Sequence, residues 1–250
     1  MDGSGALGQI YNFSACGLNY CSASIMTATR YSPPGSGLPV TLNISCLASC
    51  YNILQAYIWW SESSTNLSAT ATVTNPLGGT ASYAANLSGS GVDKCWSLGG
   101  TSVFRVNVTT SISGNGNYSI NISSGSDPVD GITLFIIYAD PTATYQGTLI
   151  INDGAIVTNG GSNSQTMTGF NACGNSTFAT AFAIGGDMQD NVGPSHTTTL
   201  NGTNLSFPQN FWNFDETNTT VTSGQSSALY GFSPPPGDCW VFTAMGLYFQ

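Results

Sequence analysis

The sequence predicts an all-β fold: an antiparallel β-sandwich of jelly-roll type, or two packed β lobes. Three observations carry this. Apolar residues recur with a period of two, or in short unbroken runs bounded by turn residues. Thirty glycines and eleven prolines punctuate the chain from end to end. No segment joins a helical apolar period to caps at both ends.

The elements follow in chain order. Residues 6–13 place Leu7, Tyr11 and Phe13 on alternating positions, with Ile10 between them, a short strand able to fill one face of a groove. Residues 53–60 are aromatic and β-branched and read as a buried strand. Residues 69–74 alternate small apolar residues with Thr and end at Asn75-Pro76. In 102–108, Phe104, Val106 and Val108 oppose Val103, Arg105 and Asn107, the pattern of a half-buried strand. The turn Gly114-Asn115-Gly116-Asn117 leads into a strand at 118–122. The apolar run 132–138 predicts a central strand covered on both faces. Strands at 148–152 and 155–158 flank Asp153-Gly154, which predicts a tight hairpin turn. Residues 178–184 and 241–249 complete the set. One continuous sandwich is the first reading; two lobes dividing near 123–127 are the alternative. Residues 1–50 read as an N-terminal extension with cysteine loops and a candidate donor strand, and 51–250 as the sandwich itself.

Charge narrows the function. Only 6% of residues are charged, with 3 Lys+Arg against 12 Asp+Glu and a net charge of −9. Arg30, Lys94 and Arg105 are too few to neutralise a phosphate backbone, so nucleic acid is excluded as a partner. The strongly apolar stretch 132–139 is far short of a bilayer span, so no membrane insertion is expected. Residues 1–8 carry neither a basic segment nor an apolar one, so no signal peptide is read there. Ser, Thr, Asn and Gly nonetheless stand where Lys and Glu are usual, which points to an extracellular or cell-surface location.

Seven cysteines favour disulfides in an oxidising compartment. Proximity pairs Cys16 with Cys21 and Cys46 with Cys50. Elimination then joins Cys173 to Cys239 and leaves Cys95 unpaired. The competing reading is a four-thiolate zinc site built from the two close pairs. Asn-x-Ser/Thr sequons begin at Asn12, Asn43, Asn66, Asn86, Asn107, Asn117, Asn121, Asn175, Asn201, Asn204 and Asn218. They read as glycosylation acceptors or as polar strand and turn chemistry.

Catalysis finds little support. His196 is the sole histidine and follows a Gly-Pro-Ser turn with no nucleophile elbow in the chain. Glu62 and Glu216, with Asp187, Asp190 and Asp215, could in principle make a carboxylate pair. Asp187 and Asp190, or Asp127 and Asp130, are weak calcium candidates without EF-hand spacing, and no other cofactor is expected. Phe211 and Trp212, after Pro208-Gln209-Asn210, are the one loop-like aromatic pair that could touch a glycan.

Four segments resemble a family of secreted, largely uncharacterised all-β surface modules of bacterial and archaeal adhesin-like proteins. Residues 53–60 are similar to its early Tyr-x-Trp strand. Thr101 to Ile120 resembles its "Asp-Val-Thr" segment, with Asn107 where Asp is usual, followed by Gly114-Asn115-Gly116-Asn117-Tyr118. Tyr138-Ala139-Asp140-Pro141 followed by Asp153-Gly154 resembles its most characteristic stretch, and Gly237-Asp238-Cys239 its last strand. The resemblance implies an extracellular β module and transfers no catalytic residue.

The expectation is therefore a structural subunit of an extracellular filament, sheath or coat. It would partner copies of itself by strand exchange or edge pairing, with Leu7, Ile10, Tyr11 and Phe13 as subunit contacts. A glycan-binding adhesin module is the alternative, and no enzyme is expected.

Overall fold

The computed structural model describes residues 6–29, 32–33, 35–92, 98–123, 128–174, 176–188, 197–205, 211–234 and 237–250. Among these residues the chain forms four antiparallel sheets. Sheet A orders β1 (Gly8–Cys16), β11 (Gln146–Asn159), β18 (Cys239–Phe249), β13 (Ser176–Gly186) and β16 (Trp212–Val221). Sheet B orders β2 (Leu18–Met26), β10 (Val129–Ala139), β4 (Asn52–Glu62), β8 (Thr101–Asn107) and β7 (Asn86–Gly91). Sheet C holds β3 (Val40–Ile44), β9 (Gly116–Ser123), β5 (Thr70–Thr74) and β6 (Thr80–Ala84). Sheet D holds β12 (Asn163–Thr168), β17 (Ser227–Ser233), β14 (Thr197–Leu200) and β15 (Thr203–Leu205).

Side-chain alternation stacks these sheets in the order C, B, A, D. On β10, Ile132, Leu134, Ile136 and Tyr138 point toward sheet C and join Val40, Leu42, Val73, Tyr118 and Ile120. The intervening Phe135 and Ile137 point the other way and meet Leu149, Ile151, Phe182 and Tyr248 of sheet A. β4 repeats this, with Ile58 and Trp60 on one side and Tyr57 and Trp59 on the other. A strand apolar on both faces needs a sheet on each side, so the run at 132–138 is the central strand its sequence predicts. The far side of sheet A, carrying Ile150, Trp240, Phe242 and Leu247, packs on Met167, Leu200, Tyr230 and Phe232 of sheet D.

Two β-sandwiches thus sit back to back. The first comprises β2 to β10; the second comprises β11 to β18, together with β1. The change of lobe falls between β10 and β11 rather than at 123–127, of which 124–127 lie outside the described residues. β1 and β2 cross the same divide at Gly17, which has φ +65. Its N–H donates to the Tyr145 carbonyl at 2.8 Å, and its own carbonyl accepts from the Asp140 N–H at 2.9 Å. A Cβ at Gly17 would lie 2.0 Å from the Asp140 oxygen, so only glycine turns this corner. Residues 8–44 therefore supply strands to sheets A, B and C rather than hanging outside the sandwich.

Asp153-Gly154 is not a turn. β11 runs unbroken from Gln146 to Asn159, with a register shift against β18 between Asp153 and Ile156. The glycine permits close backbone approach instead: a Cβ there would lie 2.6 Å from the Ala6 carbonyl.

The cysteine pairing also needs correction. Cys21 bonds Cys46, with Cα atoms 5.6 Å apart. Cys21 points from β2 into the core between sheets B and C, and Cys46 lies just past β3, so the bridge ties those two layers. Cys16 and Cys50 are free and exposed, so neither short loop is closed. Cys16 belongs to sheet A, and the corner at Gly17 carries it away from Cys21. Cys239 is disulfide-bonded, whereas Cys173 is a free exposed thiol, so the 173–239 bridge is excluded. Cys95 lies outside the described residues. With Cys21 and Cys46 bonded to each other, the four-thiolate zinc reading falls.

Candidate functional site

A recess on the described surface brings aromatic and acidic groups together. It opens where β2 passes over the ends of β13, β16 and β18, has a volume of about 260 Å³, and takes Tyr20, Phe178, Thr180, Glu216 and Tyr248 into its wall. Tyr20 is placed by stacking on Phe135, with centroids 4.9 Å apart and planes 13° apart, and by an edge contact to Tyr248 at 5.5 Å. Its hydroxyl donates to Glu216 Oε2 at 2.7 Å. Burial first, and the Glu216 charge second, push the Tyr20 hydroxyl far above the ordinary phenol range, so it remains a donor. Phe178 is 50% exposed at the mouth. An aromatic face beside a carboxylate that is held by one hydrogen bond can stack a flat or sugar-like group and accept its hydroxyl protons. Sequence alone missed this group because its members come from four strands. The visible hints were Glu216 as one of two glutamates and Phe178 at a strand start.

A second polar centre is structural. Asp153, 6% exposed, accepts at Oδ2 from Arg105 at 2.6 Å, Ser88 at 2.9 Å and the Trp59 indole at 3.0 Å. The Arg105 guanidinium also lies 5.5 Å over the Tyr57 ring. Burial raises the Tyr57 hydroxyl, and Arg105 opposes it. This node locks sheet B to sheet A. A lone arginine inside an apolar alternation was its sequence trace.

Of each calcium pair, one member lies among the described residues. Asp130 is buried and accepts from the Ser61 hydroxyl at 2.5 Å, while Asp187 is buried beside Phe211, whose carbonyl receives its N–H at 2.8 Å. Asp127, Asp190 and His196 lie outside the described residues. Among the described residues no three His, Cys, Asp or Glu side chains are grouped to hold a metal ion. Glu62 is buried and accepts from the Trp60 indole at 2.7 Å, so it is not a partner for Glu216 across a cleft.

The Phe211–Trp212 platform is overturned. Trp212 opens β16 and is 3% exposed, and its indole donates to Thr133 Oγ1 at 3.0 Å between sheets A and B. An aromatic that ends a polar loop faces inward here because it is already the first strand residue.

The sequons lie on the surface. Asn12, Asn43, Asn86, Asn107, Asn117, Asn121, Asn201, Asn204 and Asn218 are exposed and Asn66 is half-buried, while Asn175 lies outside the described residues. Asn43 and Asn117 are register partners on the outer face of sheet C. The proposed subunit contacts are placed within the chain: β1 pairs with β11, Leu7 is buried, Ile10 and Tyr11 pack against the A/B core, and Phe13 is 47% exposed. The groove that exchange between subunits would fill is occupied by the chain's own strand. β1 and β11 are far apart in sequence, and they meet because the β1–β2 corner at Gly17 is hydrogen-bonded to Asp140 and Tyr145 in the β10–β11 connection.

No family model matches the chain, and no curated protein does. Some solved structures are similar. One is a beta-porphyranase of glycoside hydrolase family 86 from the human gut bacterium Bacteroides plebeius, at 11% identity and TM-score 0.27, over 84% of this chain and 34% of that one. Two others are a variant and the wild type of a family 86 hydrolase, each in complex with neoagarooctaose, at 10% and 9% identity and TM-scores 0.26 and 0.27. They are covered over 32% and 34% of their length, and cover 95% and 84% of this chain. The chain thus spans about a third of each. These neighbours are enzymes, against the expectation that no enzyme is present, but a likeness this slight assigns no activity to this chain.

Proposed function

We propose that this chain is a structural subunit of an extracellular filament, sheath or cell-surface coat, and that it carries N-linked glycans. The observation that supports this is how its polar groups are distributed. The outer face of sheet C presents Thr41 and Asn43, then Asn117, Ser119 and Asn121, then Thr70, Thr72 and Thr74, then Thr80 and Ser82, without a single charge. Meanwhile Glu62, Asp130, Asp153, Asp187 and Asp238 are buried. A surface of hydroxyls and amides can carry sugars and pack against neighbours without like-charge repulsion. The Cys21–Cys46 disulfide fits an oxidising compartment, and no helix among the described residues is long and apolar enough to cross a membrane.

The test is electron microscopy of the protein stripped from its native source, with intact-mass measurement before and after glycan release. Ordered polymers or lattices and a mass loss are expected. Unglycosylated monomers at every concentration would overturn the proposal.

The glycan-binding reading keeps one observation, the half-exposed Phe178 beside Glu216. Phe178→Ala should abolish binding on a glycan array; a wild-type chain that binds none of the glycans removes this reading.

A further inference from the structure

We propose that the chain joins a second copy of itself along the outer edge of β2, the two β2 strands pairing antiparallel so that sheet B continues across the contact. The inference rests on the structural-subunit reading and names the surface that reading needs.

An edge strand exposes unpaired N–H and C=O groups and invites a partner unless it is short, charged, bulged or covered. Almost every sheet edge of this molecule carries one of those protections. β3 and β6 of sheet C have five residues each, and β12 and β15 of sheet D have six and three. β7 has six and is bulged against β8 between Leu87 and Gly89. β16 is ten residues long but carries Asp215 and Glu216. β1 is nine residues long but is bulged between Gln9 and Tyr11. β2 has none of these. Its nine residues hold straight register against β10, from Leu18 opposite Ala139 to Met26 opposite Gly131. It contains no charge and no proline, and it ends in Ile25 and Met26, which are 39% and 40% exposed.

Two features select a second copy as the occupant. Any copy brings a net charge of −9, so two can approach closely only where carboxylates are absent, and β2 carries none of the twelve. Glu216 of β16, which lines the recess beside β2, accepts from the Tyr20 hydroxyl. The strand is also self-complementary. Antiparallel pairing centred on Ser22 sets Leu18 of one copy opposite Met26 of the other, Asn19 opposite Ile25, and Ser22 opposite Ser22. One apolar pair, Leu18 with Met26, stands at each end, and small side chains meet at the middle, with no like charges opposed anywhere along the pairing. Such a contact is isologous and closes as a two-fold pair, the building block that other surfaces extend.

The test uses the full chain in analytical ultracentrifugation across concentration. Ile25→Lys puts one cation into each edge and two into the pair, and Leu77→Lys, at a position 82% exposed in the turn between β5 and β6, is the control. Neither side chain is in a core, and unchanged circular dichroism confirms folding. The expected result is self-association of the wild type, at least tenfold weaker for Ile25→Lys and unchanged for Leu77→Lys. Ser22→Cys, in a background with Cys16, Cys50 and Cys173 changed to Ser, should oxidise to a covalent dimer. Equal association of the two lysine variants, with no Ser22→Cys dimer, overturns the β2 contact and leaves the structural-subunit reading standing. A wild type that is monomeric at every concentration overturns the contact and the reading together.

Discussion

Removing the guanidinium of Arg105 should destabilise the whole molecule more than any surface change. Asp153 would keep its hydrogen bonds from Trp59 and Ser88 but lose its only ion pair, at 2.6 Å, while remaining 6% exposed between sheets A and B. Stripping one partner from a buried pair costs about 3–5 kcal/mol, because the remaining charge is desolvated without compensation. The Arg105 side chain is 21% exposed, so water reaches the node and the expected loss for Arg105→Met is about 2–4 kcal/mol. For a chain of this length that is a fall in Tm of roughly 4–16 °C. Arg105→Met/Asp153→Asn removes both charges and should recover more than half of the loss, since the penalty is the orphaned carboxylate rather than the missing contact. Urea unfolding followed by tryptophan fluorescence reads both variants, because Trp59 reports directly on the node. A loss under about 1 kcal/mol for Arg105→Met, or a double variant no better than the single, would refute the claim that this pair pins the two sandwiches together.

Three further outcomes follow from the same structure. Desolvation raises the Asp215 carboxyl from 3.8 to about 6, and its Oδ2 is buried without a partner. The folded state therefore holds a proton that the unfolded chain has released, and this stabilisation is lost as pH rises through 6. Asp215→Asn should raise stability by about 1–2 kcal/mol at pH 8, after discounting for a half-exposed group, and change it little at pH 3.5; paired urea titrations at the two pH values would show it, and equal effects at both would contradict it. Cys46→Ser should cost up to about 3.5 kcal/mol, the chain-entropy value for a loop with a sequence separation of 25, and reduction of the wild type should reproduce that loss in a thermal melt. Gly154→Ala drives a methyl group against the Ala6 carbonyl and should cost about 1–3 kcal/mol, with hydrogen exchange rising along β1 before other strands; exchange rising first elsewhere would count against the close approach.

The fold was legible where periodicity speaks for both faces of a strand. Residues 132–138 and 53–60, interrupted only by Thr133 and Gln55, carry apolar side chains on both faces, and that pattern demands a covering layer on each side. The alternation at 102–108 placed Phe104 and Val106 inward correctly. Reading failed where a short motif has two physical uses. Asp153-Gly154 suits a turn, yet here the aspartate serves an ion pair and the glycine a backbone contact. Cys16 and Cys21 are close in sequence, but the corner at Gly17 puts them in different sheets, and loop length says nothing about side-chain direction. The recess was the least legible part, because Tyr20, Phe178, Glu216 and Tyr248 meet only once sheet B crosses sheet A. No local pattern encodes a crossing between strands more than 150 residues apart in sequence.

The most direct test of the structural-subunit account is tomography of intact source cells, labelled with antibody against this chain. Continuous labelling of filaments or of a surface layer outside the membrane is the predicted result. Labelling confined to the cell interior, or to dispersed single molecules in the medium with no ordered structure, would contradict the account.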